Sequence, residues 1–257
     1  MGGGLMQLVA HGAQDVYLTG NADITFFKVV YRRHTNFAVE AIQQTFNGTA
    51  DFGRTVSATI SRNGDLIHRM YVQATIPKVT TETGKTFRWM NWIGHLLLET
   101  VELEIGGQKI DKHYGDWLHI WNELTQTAGH QAGYANMVGN VPKLTQFTAN
   151  GKIVESVELY IPLQFWFNRN PGLALPLIAL QYHEVKLKFN WGAASGGYGG
   201  AGPANCKVLC DYIYLDTDER RRFAQVSHEY LIEQVQRQTG ESGTTTKLNF
   251  NHPVKEL

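Results

Sequence analysis

Cysteine is nearly absent: a chain of 257 residues holds two, Cys206 and Cys210. Two thiols cannot supply the disulfide framework of a small secreted domain. On one strand they would share a face about 13 Å apart, at ~3.3 Å per residue, too far to bridge. Reduced, semi-buried thiols in a reducing compartment are expected. Long hydrophobic runs are also missing. The greasiest stretch, Leu173 to Leu180, is interrupted by Pro176, and nothing approaches the ~20 apolar residues of a bilayer span. The start, MGGGLMQLVAHGAQDVYL, has no basic segment leading into an apolar one, so no secretory signal is read. Met6 stands where a myristoylation start has Ser or Thr. Net charge is absent too, with Lys plus Arg at 23 and Asp plus Glu at 23. Such a chain lacks the concentrated basic field of a nucleic-acid binder. It also lacks the self-repulsion that keeps proteins apart, which suits dense assembly.

What is present is β-forming bulk. Hydrophobic residues make up 43% of the chain, enough for a substantial core. The run from Gly20 to Phe46, GNADITFFKVVYRRHTNFAVEAIQQTF, is rich in aromatic and branched side chains and carries no catalytic signature. It predicts one or two extended strands that build a wall. Strand-like segments then recur between turn signals. Thr55 to Ile60 and Leu66 to Ile76 flank Asn63-Gly64, a hairpin cue. Leu96 to Ile105 alternates Val101, Leu103 and Ile105 with Glu102 and Glu104, the mark of a half-buried strand. Gly106-Gly107 turns it into Gln108 to Lys112. Ile153 to Pro162, Glu184 to Trp191 and Lys207 to Leu215 complete roughly eight strands over residues 24–215.

Helix is sparse. Trp117, Ile120, Trp121 and Leu124 recur at helical spacing behind Asp116 as cap. A short helix is expected within Leu163 to Pro176, and another over Glu219 to Gln225 after Asp216-Thr217-Asp218. Residues 129–151 read as a long loop, and Ala193 to Gly202 as a flexible one. Strands without crossover helices argue for an all-β, antiparallel jelly-roll sandwich. His228 to Arg237 and Lys247 to Phe250 read as two more strands, too few to bury a core alone. They suggest the opening of a second domain and a chain that is a fragment of something longer.

No motif survives as a catalytic, cofactor-binding or metal site. Thr83-Gly84-Lys85-Thr86 resembles the tail of a phosphate loop, but Val79 stands where its first glycine belongs. His183-Glu184 and His228-Glu229 lack the second histidine of a zinc helix, with Leu187 and Ile232 in its place. Asp216, Asp218 and Arg220 fail the calcium-loop pattern at Arg221. Glu102 and Glu104 read as a solvated strand face, and Arg220, Arg221 and Arg222 as locally ion-paired. Asn47-Gly48-Thr49 fits the glycosylation pattern, which a reducing compartment would leave unused. Trp89, Trp92, Trp117, Trp121, Trp166 and Trp191 keep a carbohydrate-binding β-sandwich open as an alternative.

Three segments together resemble the major capsid proteins of nucleocytoplasmic large DNA viruses, as in phycodnaviruses and mimivirus relatives. They are residues 3–46, residues 168–189 (NRNPGLALPLIALQYHEVKLKF) and residues 214–236 (YLDTDERRRFAQVSHEYLIEQVQ). The resemblance implies a non-enzymatic double jelly-roll subunit without cofactor. It implies homotrimeric, pseudo-hexameric capsomers that contact neighbouring capsomers and minor capsid proteins in an icosahedral virion assembled in host cytoplasm. It places an amino-terminal arm at 1–23, a first jelly roll at 24–216, a linker helix at 217–226 and the start of a second jelly roll at 227–257. The arm is expected on the inner side of the shell. Direct contact with nucleic acid is not expected.

Overall fold

The computed structural model describes residues 2–22, 24–149, 151–194, 198–239 and 245–257. Two compact units result, residues 1–36 and residues 37–257. The first holds two short helices, α1 (Gly3–Val9) and α2 (Ala13–Thr19), followed by an extended stretch.

The second unit is a β-sandwich. Its strands are β1 (Phe37–Thr45), β2 (Thr55–Thr59), β3 (Leu66–Ile76), β4 (Val79–Thr80), β5 (Leu98–Ile105), β6 (Gln108–Tyr114), β7 (Ile153–Val154), β8 (Val157–Pro162), β9 (Leu175–Pro176), β10 (Val185–Trp191) and β11 (Ala204–Leu215). One sheet has the order β1-β11-β3-β8, with β9 also on β3, and the other β2-β10-β5-β6; β4 and β7 form a separate small pair. Every pairing is antiparallel.

The pairs are nested. β1 pairs with β11, β2 with β10, β3 with β8, and β5 with β6. The chain is thus one long antiparallel ribbon, doubled on itself and wound around a core, which is the jelly-roll arrangement. The ribbon's tip is the two-residue turn Gly106-Gly107, with φ of 60° and 82°. A two-residue turn of this kind needs positive φ at both positions, and glycine accepts that without a Cβ penalty.

Period-two alternation fills the space between the sheets. Val101 and Leu103 on β5, Leu187 and Phe189 on β10, and Val72 and Ala74 on β3 are all fully buried, with Val208, Cys210 and Tyr212 opposite on β11. Burial pushes the thiol pKa of Cys206 up to about 11 and that of Cys210 up to about 12, so both stay protonated and unreactive near neutrality.

Several sequence expectations shift. The first strand starts at Phe37; residues 24–36 carry only an isolated Thr25–Lys28 bridge. Their β propensity describes fit to a neighbouring strand, and no strand pairs with them. Asn63-Gly64 closes no hairpin, because β2 and β3 lie in different sheets. Residues 61–65 cross between the sheets, tied by the Tyr212 hydroxyl donating to Ser61 O (2.6 Å) and the Leu215 amide donating to the Asp65 carboxylate (2.8 Å). Gly64 is there for closeness, since a Cβ on it would lie 2.9 Å from Tyr212 Cβ.

Residues 129–151 are largely helical, in α5 (Ala128–Val138) and α6 (Pro142–Thr145), while residue 150 lies outside the described residues. Only Tyr134 and Val138 of α5 are buried, so the helix carries almost no apolar periodicity to read. The helices α3 (Ile93–Leu97) and α4 (Gly115–Thr125) precede it; Tyr114, not Asp116, is the N-cap of α4, and Asp116 sits in its first turn. The flexible-loop reading of residues 193–202 falls partly on residues 195–197, outside the described set. The expected helices near 166 and 217 are α7 (Trp166–Arg169) and α8 (Thr217–Gln225).

The strands expected at 228–237 and 247–250 do not form a ladder. Alternate glutamines take its place. Gln234 Nε2 donates to Ile110 O (2.5 Å), Gln236 Oε1 accepts from the Asn251 amide (3.0 Å), and Gln238 Oε1 accepts from the Asn249 amide (2.8 Å). Residues 240–244, in the loop expected between them, lie outside the described residues.

Substituting Gly64→Ala is expected to destabilise the fold by about 1–3 kcal/mol through overpacking against Tyr212. Gly107→Ala, with open space around its Cβ but φ of 82°, is expected to cost about 1–2 kcal/mol from backbone strain alone. Urea denaturation of the two variants checks both; an unchanged midpoint for Gly64→Ala would contradict the close-approach explanation.

Candidate assembly surfaces

The two outer faces of the sandwich are chemically unlike. On the β2-β10-β5-β6 sheet, Lys186 stands opposite Glu104 and Lys188 opposite Glu102, with Glu102 opposite Lys112 on the next strand. Lys112 Nζ lies 2.8 Å from Glu102 Oε1, and that hydrogen bond is the main reason the Glu102 pKa is held below the usual carboxylate range. Cross-strand opposite charges of this kind stabilise a solvated face.

The outer face of the other sheet is mixed, with an apolar patch beside polar residues such as Gln43, Lys207, Asp211 and Glu158. Phe37 and Val39 on β1 stand opposite Leu215 and Ile213 on β11. Leu209 on β11 stands opposite Tyr71 on β3, which pairs in turn with Pro162 on β8. Phe37 is 68% exposed and Val39 55%. Alternation that places apolar rows on both sides of one sheet leaves one row unpartnered, and exposed apolar patches mark interaction surfaces.

A third feature is the segment after α8, which lies against the β6 edge. Asp111, buried on β6, accepts from the Val235 amide (3.2 Å), from the Lys112 amide (2.8 Å) and meets His113 Nε2 at 3.1 Å. Arg169 on α7 donates to Glu233 (2.8 Å) and sits 4.0 Å from the centre of the Trp121 ring. Burial is the largest influence on Arg169 and lowers its pKa, opposed by the Glu233 and Asp111 carboxylates. Glu233 also pairs with Lys255, and Arg237 reaches Asp116 at 3.6 Å. The edge of β6 is thereby covered, which prevents it from pairing with stray strands.

Above α4, an aromatic cluster closes one end. His95 Nε2 contacts the Tyr134 hydroxyl at 2.8 Å, and Trp92 stacks on the His95 ring with centroids 5.5 Å apart. Trp92 has φ of 55°, a strained conformation for a bulky residue that the stacking holds in place. Burial, then the neighbouring His119, lowers the His95 pKa from 6.5 to about 4.

The decoy motifs are structural. Lys85 pairs with Glu82 (2.7 Å) in a surface turn. His228 Nε2 meets Phe223 O at 3.0 Å. Asp216 caps α8 by accepting from the Glu219 amide (3.0 Å). Arg221 and Arg222 pair with Asp218 and Glu219 as expected, but Arg220 reaches back to Asp65 (3.0 Å). Trp89, Trp166 and Trp191 are core residues, and the other three tryptophans are half-buried against His and Arg side chains, so no open stacking platform for a sugar is built from them. Among the described residues no cluster of His, Cys, Asp and Glu fits a metal ion, and no helix is long and apolar enough to cross a membrane. A groove of about 510 Å³ between residues 175–182 and 223–232 is lined chiefly by apolar side chains such as Trp166, Leu180, Phe223 and Ile232.

Nested antiparallel pairing across two packed sheets defines a jelly-roll protein. Comparison with known proteins agrees. The family described as "Major capsid protein N-terminus" matches residues 25–216. The major capsid protein of Pyramimonas orientalis virus is 63% identical over 260 residues, covering 100% of this chain and 64% of the relative. Capsid protein 1 of Acanthamoeba polyphaga mimivirus is 52% identical over 285 residues, covering 100% of this chain and 48% of the relative. In the quasi-atomic structure of the PBCV-1 virus capsid, a chain with 46% identity superposes with a TM-score of 0.72, over 89% of this chain and 57% of that one. This chain belongs to the major capsid protein family. It spans about half to two thirds of the length of the relatives it matches, 48% and 64% for the two capsid proteins.

Two outcomes test these contacts. Replacing Arg169→Ala should leave Glu233 and the Trp121 ring without their partner and cost about 1–3 kcal/mol, less than a fully buried pair because Glu233 is 41% exposed. Amide hydrogen exchange at Val235 should rise with it; unchanged protection would show that Asp111 alone holds the segment. The depressed His95 pKa sets a pH dependence. The unfolded chain protonates this histidine near 6.5 and the folded one only near 4, so stability falls as pH drops through that window, by roughly 3 kcal/mol from this group. Below about 4 the loss from His95 is complete. Thermal denaturation from pH 7 to 4 should show a shallower slope in His95→Gln than in the parent.

Proposed function

We propose that this chain is a shell-building part of a capsid subunit of a large DNA virus, acting in the virion by burial of surface between copies. The observation that carries the reading is the nested jelly-roll pairing over residues 37–215, in a chain of the major capsid protein family. The unlike outer faces support it. A rigid sandwich with a charged ladder on one side and an apolar patch on the other offers distinct contacts to different neighbours, and repeated contacts add through multivalency.

The finer reading is a first jelly roll over residues 24–216, a linker helix at 217–226 and the opening of a second jelly roll at 227–257. Subunits of that kind join as homotrimers into pseudo-hexameric capsomers, meet neighbouring capsomers and minor capsid proteins, and tile an icosahedral shell in host cytoplasm. The amino-terminal residues 1–23 then lie toward the shell interior. The glutamine-mediated pairing at 234–238 supports the idea that this stretch is completed by further strands.

Sedimentation velocity on the purified chain tests the reading. A species near three times the 28.9 kDa chain mass is expected. A monomer at all micromolar concentrations that binds glycans on an array would instead favour a carbohydrate-binding sandwich.

A further inference from the structure

The last strand on each side of a sheet has outward N–H and C=O groups with no neighbour, and such edges template pairing with other chains. The two large sheets have four of them, at β1, β8, β2 and β6. The β6 edge is covered by the segment at 234–235. β2 is five residues long, and the Asn47 amide already donates to its Ser57 O (2.7 Å). The β1 and β8 edges close the two sides of one sheet, and among the described residues no strand pairs with either on its outer side. We propose that the β8 edge of one copy pairs antiparallel with the β1 edge of the next, so that one sheet runs on from subunit to subunit. The inference deepens the shell reading and rests on it, since it names the contact by which copies join.

β1 lacks the defences of a natural edge. Its sequence, FAVEAIQQT, has no lysine and no proline, and it pairs with β11 from Phe37 to Thr45 without a bulge. Lysine, proline and bulges are the devices that keep edges from sticking. Its one charge, Glu40, is engaged by the Tyr214 hydroxyl of its own sheet. Phe37 to Ala41 are all exposed. β8 has its only proline at its last position, Pro162, so residues 157–161 keep their amide donors. The helices beside β8 approach its buried side chains, with Gly94 of α3 close to Ile161 and Gly139, after α5, close to Leu159. That contact covers a face of the strand, not its edge.

Strand direction selects the partner. β1 is antiparallel to β11, β11 to β3, and β3 to β8, so β8 runs opposite to β1. A second copy in the same orientation therefore presents β8 antiparallel to β1, the pairing used throughout the sheet. Pairing β1 with β1 needs a two-fold axis that inverts one copy, whereas copies tiling one shell face the same way. A contact between two different edges is heterologous, and it closes into a ring when the rotation per copy allows, which suits a homotrimer.

The side chains agree with this pairing. Continuing the pleat puts Phe37, Val39 and Ala41 on the same face as Glu158, Tyr160 and Pro162. Val39 or Phe37 beside Tyr160 makes a favourable cross-strand pair. Glu40 and Glu158 are the only charges on the two strands. They fall on opposite faces, so no register that continues the sheet sets them against each other.

Photo-cross-linking of the whole chain tests this. A benzophenone amino acid replaces Phe37 or Val39, and the band at twice the chain mass is digested and read by mass spectrometry. Links from β1 to the peptide that holds residues 157–162 are expected in that band. Within one chain the two edges lie three strand spacings apart, about 14 Å at ~4.8 Å each, so such a link joins two copies. Ala38 and Ala41 are exposed and lie on opposite faces of β1. Ala38→Lys and Ala41→Lys each charge the edge and should cut the yield about tenfold, and either serves if the other folds poorly. An unchanged yield in folded lysine variants overturns the inference. Links from β1 to β1 mean a two-fold pairing and links to any other strand a different contact; both overturn it as well. Trimers that form without a β1–β8 link overturn it and leave the shell reading standing, and a strictly monomeric chain removes both.

Discussion

Register is the constraint on which this structure depends. Side chains on a strand alternate between faces, so a slip of one residue at the Gly106-Gly107 tip would turn β5 over relative to β6. Val101 and Leu103 would then face solvent, while Glu102 and Glu104 would enter the core. Burying even one such charge unpaired costs several kcal/mol. The glycine turn and the alternating pattern thus enforce the same pairing, and each outer pair of the ribbon inherits its alignment from the one inside it.

Among the buried polar residues, which include Gln44, Gln73 and Thr100 on the strands, one group forms a junction at β6. Asp111 and His113 face inward from β6, and each is tied to named partners. Arg169 bridges α7, the α4 tryptophans and the segment at 233. This polar junction binds the departing chain to the finished sandwich. It helps the segment after α8 hold a defined path along the β6 edge.

Much of this was legible in the sequence. Alternation exposed β5 and β10, the double glycine exposed their neighbour's turn, and the acidic start of α8 marked a helix that Asp216 does cap. Other elements were hidden for physical reasons. α5 buries only two side chains, so nothing in its composition announces a helix. Gly64 looks like a turn residue and serves instead as a gap beside Tyr212. Residues 24–36 have every local preference for a strand and no partner to pair with. The apolar outer patch was hidden because its residues come from four strands distant in sequence. Only the register places Phe37 beside Leu215 and Tyr71 beside Leu209. No catalytic constellation stood out in the sequence, and the features that matter here are broad surfaces, which short motifs do not encode.

The nested pairing has a consequence for how the protein comes into being. Phe37 is synthesised early and its partner Leu215 late, with nearly the whole sandwich between them. On the ribosome the inner hairpin of β5 and β6 can form first, but β1 has no neighbour until β11 has emerged. Closure is therefore a late, long-range event of the slow kind expected for non-local β topologies. Until then the apolar rows of β1 and β3 stay open to other nascent chains.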